Sequence, residues 1–465
     1  MKFSVKEIAF FERDVVLRMP FRFGVVTLEQ APQAFVRAGI RLANGREARG
    51  AAAEMLVPKW FDKDPALGNE DNLAQLRASL ALARDAYLAG GENTAFGHSI
   101  DNYGPQIAIG AARGLNSLVA CYGPALIDRA LLDALCRAVG VSFYQAVKAN
   151  LPGISAPGWQ PDLIAFDIDA FLEDLKPGPR IAARHTVGLM DKIVSSEKRV
   201  NDGLPETLEE VVERYGHRWF KLKVSGDAAA DLERLAEIAA VLDRIAEPYH
   251  ATLDGNEQFA SADAALDLWR RIKAEPRLRR LAASVAFIEQ PVKRAEALSQ
   301  DVSELGEEKP VIIDESDDSL DAFPRARRLG YAGVSSKTCK GLYKSLLNAA
   351  RCRMWNREEG TGRYFMSGED LTVQAGLALQ QDLALVSLLG LTHVERNGHH
   401  YVNGMAALAR AEQEAFLGAH PDLYERSNGA VRVRIRNGDL QIGTLGCAGY
   451  ASQAMPDWEA MRSTS

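Results

Sequence analysis

Five short apolar runs, each ending in ionisable side chains, are the feature that most limits how this chain can fold. They occupy residues 219–224, 251–256, 285–291, 311–316 and 331–337. Short apolar runs bounded by polar residues are typical of buried strands. Amphipathic helical patterns separate them, so that strand and helix alternate roughly every thirty residues. This rhythm predicts an α/β fold of the (β/α)₈ TIM barrel type.

Acids end three successive runs, at Asp254, Glu289 and Asp314. The carboxyl ends of barrel strands meet at one mouth, so these three carboxylates are predicted to lie together. Unpaired they would repel one another, which favours a bound divalent cation. A set of oxygen ligands without His or Cys favours Mg²⁺, with Mn²⁺ as the alternative ion. Glu315 is predicted to point away from the metal, because neighbours on a strand alternate faces.

Lysines accompany these acids. Lys221 and Lys223 are two residues apart, so both are predicted to point into the barrel. Lys337 ends the fifth run and Lys340 follows it. A lysine acts as a base only when its pKa falls towards neutrality, and nearby positive charge has that effect. The set therefore favours proton transfer near a metal.

The combined pattern resembles the enolase superfamily, specifically the muconate-lactonizing-enzyme-like branch of the mandelate racemase/muconate lactonizing enzyme family. Lys221-Leu222-Lys223 matches the K-x-K at the end of barrel strand 2. Lys337-Thr338-Cys339-Lys340-Gly341 is similar to the K-x-x-K-x-G-G of strand 6, with its single glycine directly after the second lysine. The three metal-ligand strands are matched by Asp254-Gly255-Asn256, Glu289-Gln290-Pro291 and Asp314-Glu315-Ser316.

The resemblance implies a Mg²⁺-dependent enzyme that abstracts the proton α to the carboxylate of a small acid, giving a metal-stabilised enolate. In this branch Lys223 would be the acid/base, Lys221 would assist electrostatically, and Lys337 would act on the opposite face, with Lys340 as the alternative to Lys337. The reaction would be racemisation or epimerisation, or cycloisomerisation. A syn-dehydratase of the same superfamily and a catalytically inactive binding protein on this fold are the alternatives.

Three other groups of this superfamily fit less well. The mandelate-racemase and sugar-acid-dehydratase branches pair a His on strand 7 with an Asp on strand 6, whereas strand 7 here is predicted to end in Ser367-Gly368-Glu369. The dipeptide epimerases carry Asp-x-Asp after strand 8, and this chain reads Val394-Glu395-Arg396-Asn397 there. A dipeptide substrate is therefore disfavoured.

The resemblance also divides the chain. Residues 1–153 are predicted to form an α+β capping domain completed by residues 425–465, residues 154–182 an insertion or linker, and residues 183–424 the barrel. The substrate-binding residues are predicted to be Asn256, Arg22, Lys59, Trp60 and Glu369. His185 is interpreted as structural. The pair His399-His400 is interpreted as solvated loop residues, since no third metal ligand is spaced to join them.

Composition sets the remaining expectations. The 465 residues carry a net charge of -7, which argues against nucleic acid and anionic membranes as partners. No apolar stretch approaches the length of a membrane span. The five cysteines are far apart, which is typical of reduced thiols in the cytoplasm. We expect a small carboxylate as partner, and a homo-oligomer.

Overall fold

The structure, a computed structural model, describes residues 1–156, 160–194 and 199–464. Part of the predicted insertion, residues 157–159, and the last residue of the predicted cap thus lie outside the described residues. Of the insertion, residues 161–163 form a 3₁₀ turn and residues 168–173 a short helix. No helix in these ranges combines the length and the apolar composition needed to span a bilayer.

The N-terminal residues form an antiparallel sheet covered by helices. Gly50 of this sheet has no room for a side chain, because a Cβ there would lie 2.2 Å from the backbone nitrogen of Ala134. The close approach lets an almost fully buried helix pack on the sheet. The elements are β1 (Lys2–Phe23), β2 (Val26–Leu42), β3 (Glu47–Met55), α1 (Asn69–Ala89), β4 (Asn93–Thr94), α2 (Ala95–Ala112), α3 (Ser117–Val139) and α4 (Phe143–Lys148).

Eight parallel strands then close into a barrel, because the last of them pairs with the first. This confirms the predicted TIM barrel with an α+β N-terminal capping domain. After α5 (Ile168–Glu173), the barrel strands are β5 (Arg180–Val187), β6 (Trp219–Lys223), β7 (His250–Asp254), β8 (Val285–Glu289), β9 (Val311–Ile313), β10 (Gly333–Ser336), β11 (Phe365–Gly368) and β12 (His393–Arg396).

Helices follow the strands and cover the outside of the barrel. Their apolar faces pack on the branched residues of the strands in two core clusters, one of which also includes the cap. They are α6 (Leu208–Tyr215), α7 (Ala228–Leu242), α8 (Ala262–Ala274), α9 (Arg279–Ser284), α10 (Arg294–Ala297), α11 (Ser303–Glu308), α12 (Ala322–Arg328), α13 (Leu342–Glu359), α14 (Leu377–Leu388), α15 (Gly398–Tyr401) and α16 (Arg410–Ala419).

The C-terminal segment touches both parts of the chain. β13 (Tyr424–Ser427) pairs with β14 (Ala430–Val433), β15 (Asp439–Gln441) adds to β5, and β16 (Arg462–Thr464) pairs with β1 of the cap sheet. The apolar alternation over residues 430–442 predicts a hairpin, and this prediction is wrong. β14 and β15 belong to different sheets, and only a single bridge joins Arg436 to Asp439. The exact domain boundaries stay a prediction.

Candidate active site

Seven of the eight barrel strands bring ionisable side chains to one mouth. Lys221 and Lys223 lie on β6, and Asp254 and Glu289 are the last residues of β7 and β8. The parallel register sets Lys223 beside Asp254 and Asp254 beside Glu289. All members of the set are buried. The remaining members follow β9, β10 and β11 directly or lie within β12, and they are Asp314, Lys337, Glu369 and Glu395.

The ammonium group of Lys221 lies among four carboxylates inside the barrel. Its Nζ is 2.9 Å from Oδ2 of Asp254, 2.9 Å from Oε1 of Glu289, 2.7 Å from Oε2 of Glu369 and 3.0 Å from Oε2 of Glu395. Burial alone would lower the pKa of Lys221, but the four carboxylates raise it well above its usual range. Lys221 is thus a fixed cation at the centre of the site.

Lys223 and Lys337 each hold one acid of the predicted metal set. Nζ of Lys223 lies 2.5 Å from Oδ2 of Asp254, and Nζ of Lys337 lies 2.5 Å from Oδ2 of Asp314. The Lys337 ammonium also lies 4.4 Å from the ring centre of Trp60. Burial would lower the pKa of Lys337, but the Asp314 carboxylate raises it above the usual range.

Lys340 has a different environment from Lys337. Its Nζ donates to Oγ of Ser335 at 2.6 Å and lies 3.1 Å from Oδ2 of Asp317. It also reaches the backbone carbonyl of Asp314 at 3.1 Å. It is also 3.3 Å from Oδ1 of Asp314, but of these two lysines only Lys337 lines the cavity at the mouth.

A cavity lies between the cap and the barrel mouth, with about 310 Å³ of space that is partly open to solvent. Lys223 and Lys337 both line it, although they come from β6 and from the end of β10, on opposite sides of the barrel. The cap contributes an apolar roof of Phe21, Phe23, Val57 and Trp60. The barrel contributes Asn256, Asp370, Leu371, Thr372, Glu395 and Asn397.

One of the three predicted metal ligands, Glu289, lacks enough positive charge around it. Oε2 of Glu289 is buried and receives no hydrogen bond from the described residues, although it is 2.8 Å from Nζ of Lys221. Burial, then Asp254 and Glu369, raise the pKa of Glu289 well above its usual range. Such a carboxylate fits a hard cation bound through oxygen.

The three acids are paired with lysines, and they do not all contact the same one. Among the described residues, their oxygens are not gathered within 4.8 Å of one another. Asp314 is held by Lys337 and Lys340, whereas Asp254 and Glu289 share Lys221. Glu315 points elsewhere, with Oε1 3.2 Å from Nδ2 of Asn256 and 3.5 Å from Nζ of Lys63.

The residues predicted to bind substrate are distributed unevenly. Trp60 and Asn256 line the cavity. Glu369 lies deeper in the barrel, on Lys221 and Arg184. Arg22 is exposed, and the ammonium of Lys59 donates to the carbonyl of Asp64 at 2.7 Å within its own loop. The structure therefore brings Trp60 and Asn256, but not Arg22 or Lys59, to the cavity.

Glu395 is a member of the site that the sequence reasoning missed. It accepts hydrogen bonds from Oγ1 of Thr186 at 2.6 Å and from the backbone nitrogen of Asp370 at 2.9 Å. Burial would raise its pKa, but Lys221, Lys223 and Lys337 together hold it well below the usual range. An acid at the end of strand 8 continues the pattern of β7 to β9, and that signal could have found it.

The interpretation of His399-His400 as solvated loop residues is wrong. His400 is 3% exposed, and Nε2 of His399 lies 3.2 Å from Nδ1 of His185. His217, which precedes β6, is the third member of this group. Because the three histidines lie far apart in the sequence, their spacing could not reveal the contact.

Comparison with known proteins agrees with this geometry. The sequence profile of the family described as enolase C-terminal domain-like matches residues 203–441. The chain therefore belongs to this family, within the enolase superfamily and among its mandelate racemase/muconate lactonizing enzyme members. No curated protein matches the sequence.

Solved structures of this superfamily have the same fold. A mandelate racemase/muconate lactonizing protein from Herpetosiphon aurantiacus is 15% identical with a TM-score of 0.59, covering 97% of this chain and 99% of that one. A Bradyrhizobium enolase complexed with magnesium and mandelic acid is 16% identical, with a TM-score of 0.58 and coverage of 95% and 93%. The L-Ala-D/L-Glu epimerase of Bacillus subtilis is 15% identical, with a TM-score of 0.55 and coverage of 97% and 99%.

Proposed function

We propose that this protein is a Mg²⁺-dependent enzyme that removes the proton α to the carboxylate of a small acid. Lys223 and Lys337 are the proton-transfer residues, Lys221 is a fixed cation, and the reaction is a racemisation, an epimerisation or a cycloisomerisation. The observation that carries this proposal is that two lysines from opposite sides of the barrel line one small cavity. A group on each face of an α-carbon can remove a proton from one side and return it on the other.

The charge of the site supports the same chemistry. Removing a proton α to a carboxylate leaves negative charge on the carboxylate oxygens, so the site must supply positive charge there. Asp254, Glu289 and Asp314 would hold Mg²⁺, which when bound would supply that charge. Lys221 stays protonated because its four acid neighbours raise its pKa, so it holds a positive charge beside them without acting as a base. The pKa of Lys337 is raised by one of the proposed metal ligands, Asp314, and Mg²⁺ held by that carboxylate would offset this effect.

The roof of the cavity indicates the kind of acid. Phe21, Phe23 and Val57 are apolar and offer no hydrogen bonds to a polyhydroxylated chain. Polar groups are concentrated at the floor, where Asn256 and the lysines lie. We therefore propose a substrate with its carboxylate at the floor and an aryl or branched alkyl group against the roof.

Solvent exchange tests the reaction class. In D₂O with Mg²⁺, the wild-type protein is expected to replace the α-proton of a small aryl- or alkyl-substituted acid, as followed by proton NMR. Chelation should stop the exchange, because the negative charge of the enolate then lacks the Mg²⁺ that stabilises it. Added Mg²⁺ should restore the exchange. An acid that binds the Mg²⁺-loaded protein without any exchange would indicate the inactive binding protein instead.

The metal ligands are tested separately from turnover. Asp314→Asn is expected to weaken Mg²⁺ binding by about tenfold or more, since it removes one charged oxygen ligand. Glu315→Gln is the matched control, because Glu315 is the next residue and faces Asn256 and Lys63. Calorimetric titration with Mg²⁺ measures both variants. Equal weakening by the two substitutions, or a larger loss in Glu315→Gln, would contradict the assignment.

The stereochemical course separates the proposed reactions. A racemase or epimerase exchanges the protons of both stereoisomers, whereas a cycloisomerase or a syn-dehydratase needs one base and uses the second lysine as a cation.

The Mn²⁺ alternative, the homo-oligomer, the cytoplasmic location and the domain boundaries stay predictions.

A further inference from the structure

Three imidazoles, two buried and one half-buried, form a group outside the barrel wall, which we call the histidine cluster: His185, His217 and His399. His185 projects outward from β5, since its neighbours Arg184 and Thr186 contact Glu369 and Glu395 inside. His217 lies just before β6, and His399 lies in α15 after β12. The cluster is thus at the seam where β12 closes against β5, separate from the catalytic cavity.

The spacing of the three rings is that of ligands on one metal ion. Their centres are 5.3 Å apart for His185 and His217, 5.3 Å for His185 and His399, and 5.1 Å for His217 and His399. In a tetrahedral zinc site each ring centre lies about 3.2 Å from the metal, which puts the centres about 5 Å apart. One nitrogen from each ring already lies within 4.8 Å of the other two.

The hydrogen bonds orient one ligand and leave its lone pair free. Nδ1 of His217 lies 2.9 Å from the carbonyl oxygen of Ala183, and as a donor to it would leave the lone pair on Nε2. Metal-binding histidines are oriented by such a bond to a backbone carbonyl. Nε2 of His217 is buried and has no hydrogen-bond partner in the described part of the chain. His217 itself is fully buried.

The contact between the other two rings suits a metal equally well. Nδ1 of His185 and Nε2 of His399 are 3.2 Å apart. Two nitrogens on a tetrahedral zinc are about 3.3 Å apart, so this distance is also an edge of the coordination polyhedron. Burial lowers the pKa of His217 to about 4, so its ring is neutral at pH 7, as a ligand must be.

We propose that His185, His217 and His399 bind a single Zn²⁺ ion. The ion would link β5, the start of β6 and α15 where the barrel closes. The ligand class is a borderline divalent cation that prefers imidazole nitrogen, whereas Mg²⁺ prefers oxygen. This site is independent of the proposed reaction, because none of the three histidines lines the catalytic cavity.

Zinc titration of the full chain tests the proposal. The protein is stripped with a chelator and titrated with Zn²⁺ against a chromophoric competitor, with millimolar Mg²⁺ present to occupy the carboxylate ligands. One Zn²⁺ per chain is expected to bind and to raise the thermal midpoint. His217→Gln and His399→Gln are expected to weaken binding by about 100-fold. His420→Gln is the matched control, because His420 is also fully buried but contacts Thr444 in the C-terminal segment.

A measurement on the wild-type protein keeps the test independent of whether the variants fold. X-ray absorption at the zinc edge is expected to give imidazole nitrogens at about 2.0 Å. Coordination by oxygen alone, or no Zn²⁺ binding by the folded wild type, would overturn the proposal. Full zinc affinity in a folded His217→Gln variant would overturn it as well, and loss in His420→Gln to the same extent would show that the effect is not local to the cluster.

Discussion

Lys223→Ala is expected to lose α-proton exchange from one enantiomer of the substrate by about 10³-fold while it keeps exchange from the other. The reason is geometric, because Lys223 on β6 and Lys337 after β10 reach the cavity from opposite sides. Each lysine can reach only one face of the α-carbon. Proton NMR in D₂O with Mg²⁺, run separately on each enantiomer, measures the two rates.

Lys337→Ala is expected to give the mirror-image result, and both variants should lose net racemisation. Lys340→Ala is the comparison variant, because this lysine is equally buried and also contacts Asp314, but it does not line the cavity. If Lys340→Ala removes exchange and Lys337→Ala does not, then the roles of the two strand-6 lysines are reversed. If only one of Lys223 and Lys337 supports exchange, the enzyme is a cycloisomerase or an eliminating enzyme. Exchange of both enantiomers at the wild-type rate in both variants would place the active site elsewhere.

The positions of the strand-end residues could be predicted because they depend on local pattern. Asp254, Glu289 and Asp314 each follow a short apolar run, and parallel strands bring such ends together whatever else the chain does. The same argument could have reached Glu395. Its contact with Thr186 depends on the closure of β12 against β5, which joins residues far apart in the sequence. The sequence after strand 8 lacks the Asp-x-Asp motif of the dipeptide epimerases, and that absence does not show that Glu395 belongs to the site.

The roof of the cavity shows where local pattern fails. Phe21, Arg22 and Phe23 alternate along β1, so one face presents two aromatic rings and the other a cation. A shift of one residue in register exchanges these faces. The sequence does not say which face meets the barrel, and Arg22 was predicted to meet the substrate. In the fold the two phenylalanines face the cavity and Arg22 faces solvent.

Lys221→Met is expected to destabilise the protein by at least about 3 kcal/mol in the presence of a chelator. The substitution keeps most of the length of the side chain. It removes the ammonium group that contacts all four carboxylates, those of Asp254, Glu289, Glu369 and Glu395. Breaking a buried ion pair by removing one partner is strongly unfavourable, because the other charge stays buried without compensation. Urea unfolding at neutral pH measures the loss.

Both a lower pH and added Mg²⁺ are expected to reduce the loss of stability in Lys221→Met. Burial would raise the pKa of Asp254, but Lys221 and Lys223 lower it, so its pairing stabilises the wild type above the unfolded pKa of about 4 and is lost as the pH falls through the lower folded value. In the variant these acids become neutral more readily, so the difference in stability should shrink on acidification. Lys344→Met is the matched control, because this buried lysine pairs with Asp317, outside the group of four carboxylates. Mg²⁺ should stabilise Lys221→Met more than the control, since it restores positive charge among the same carboxylates, and an equal response of the two variants would contradict the central role of Lys221.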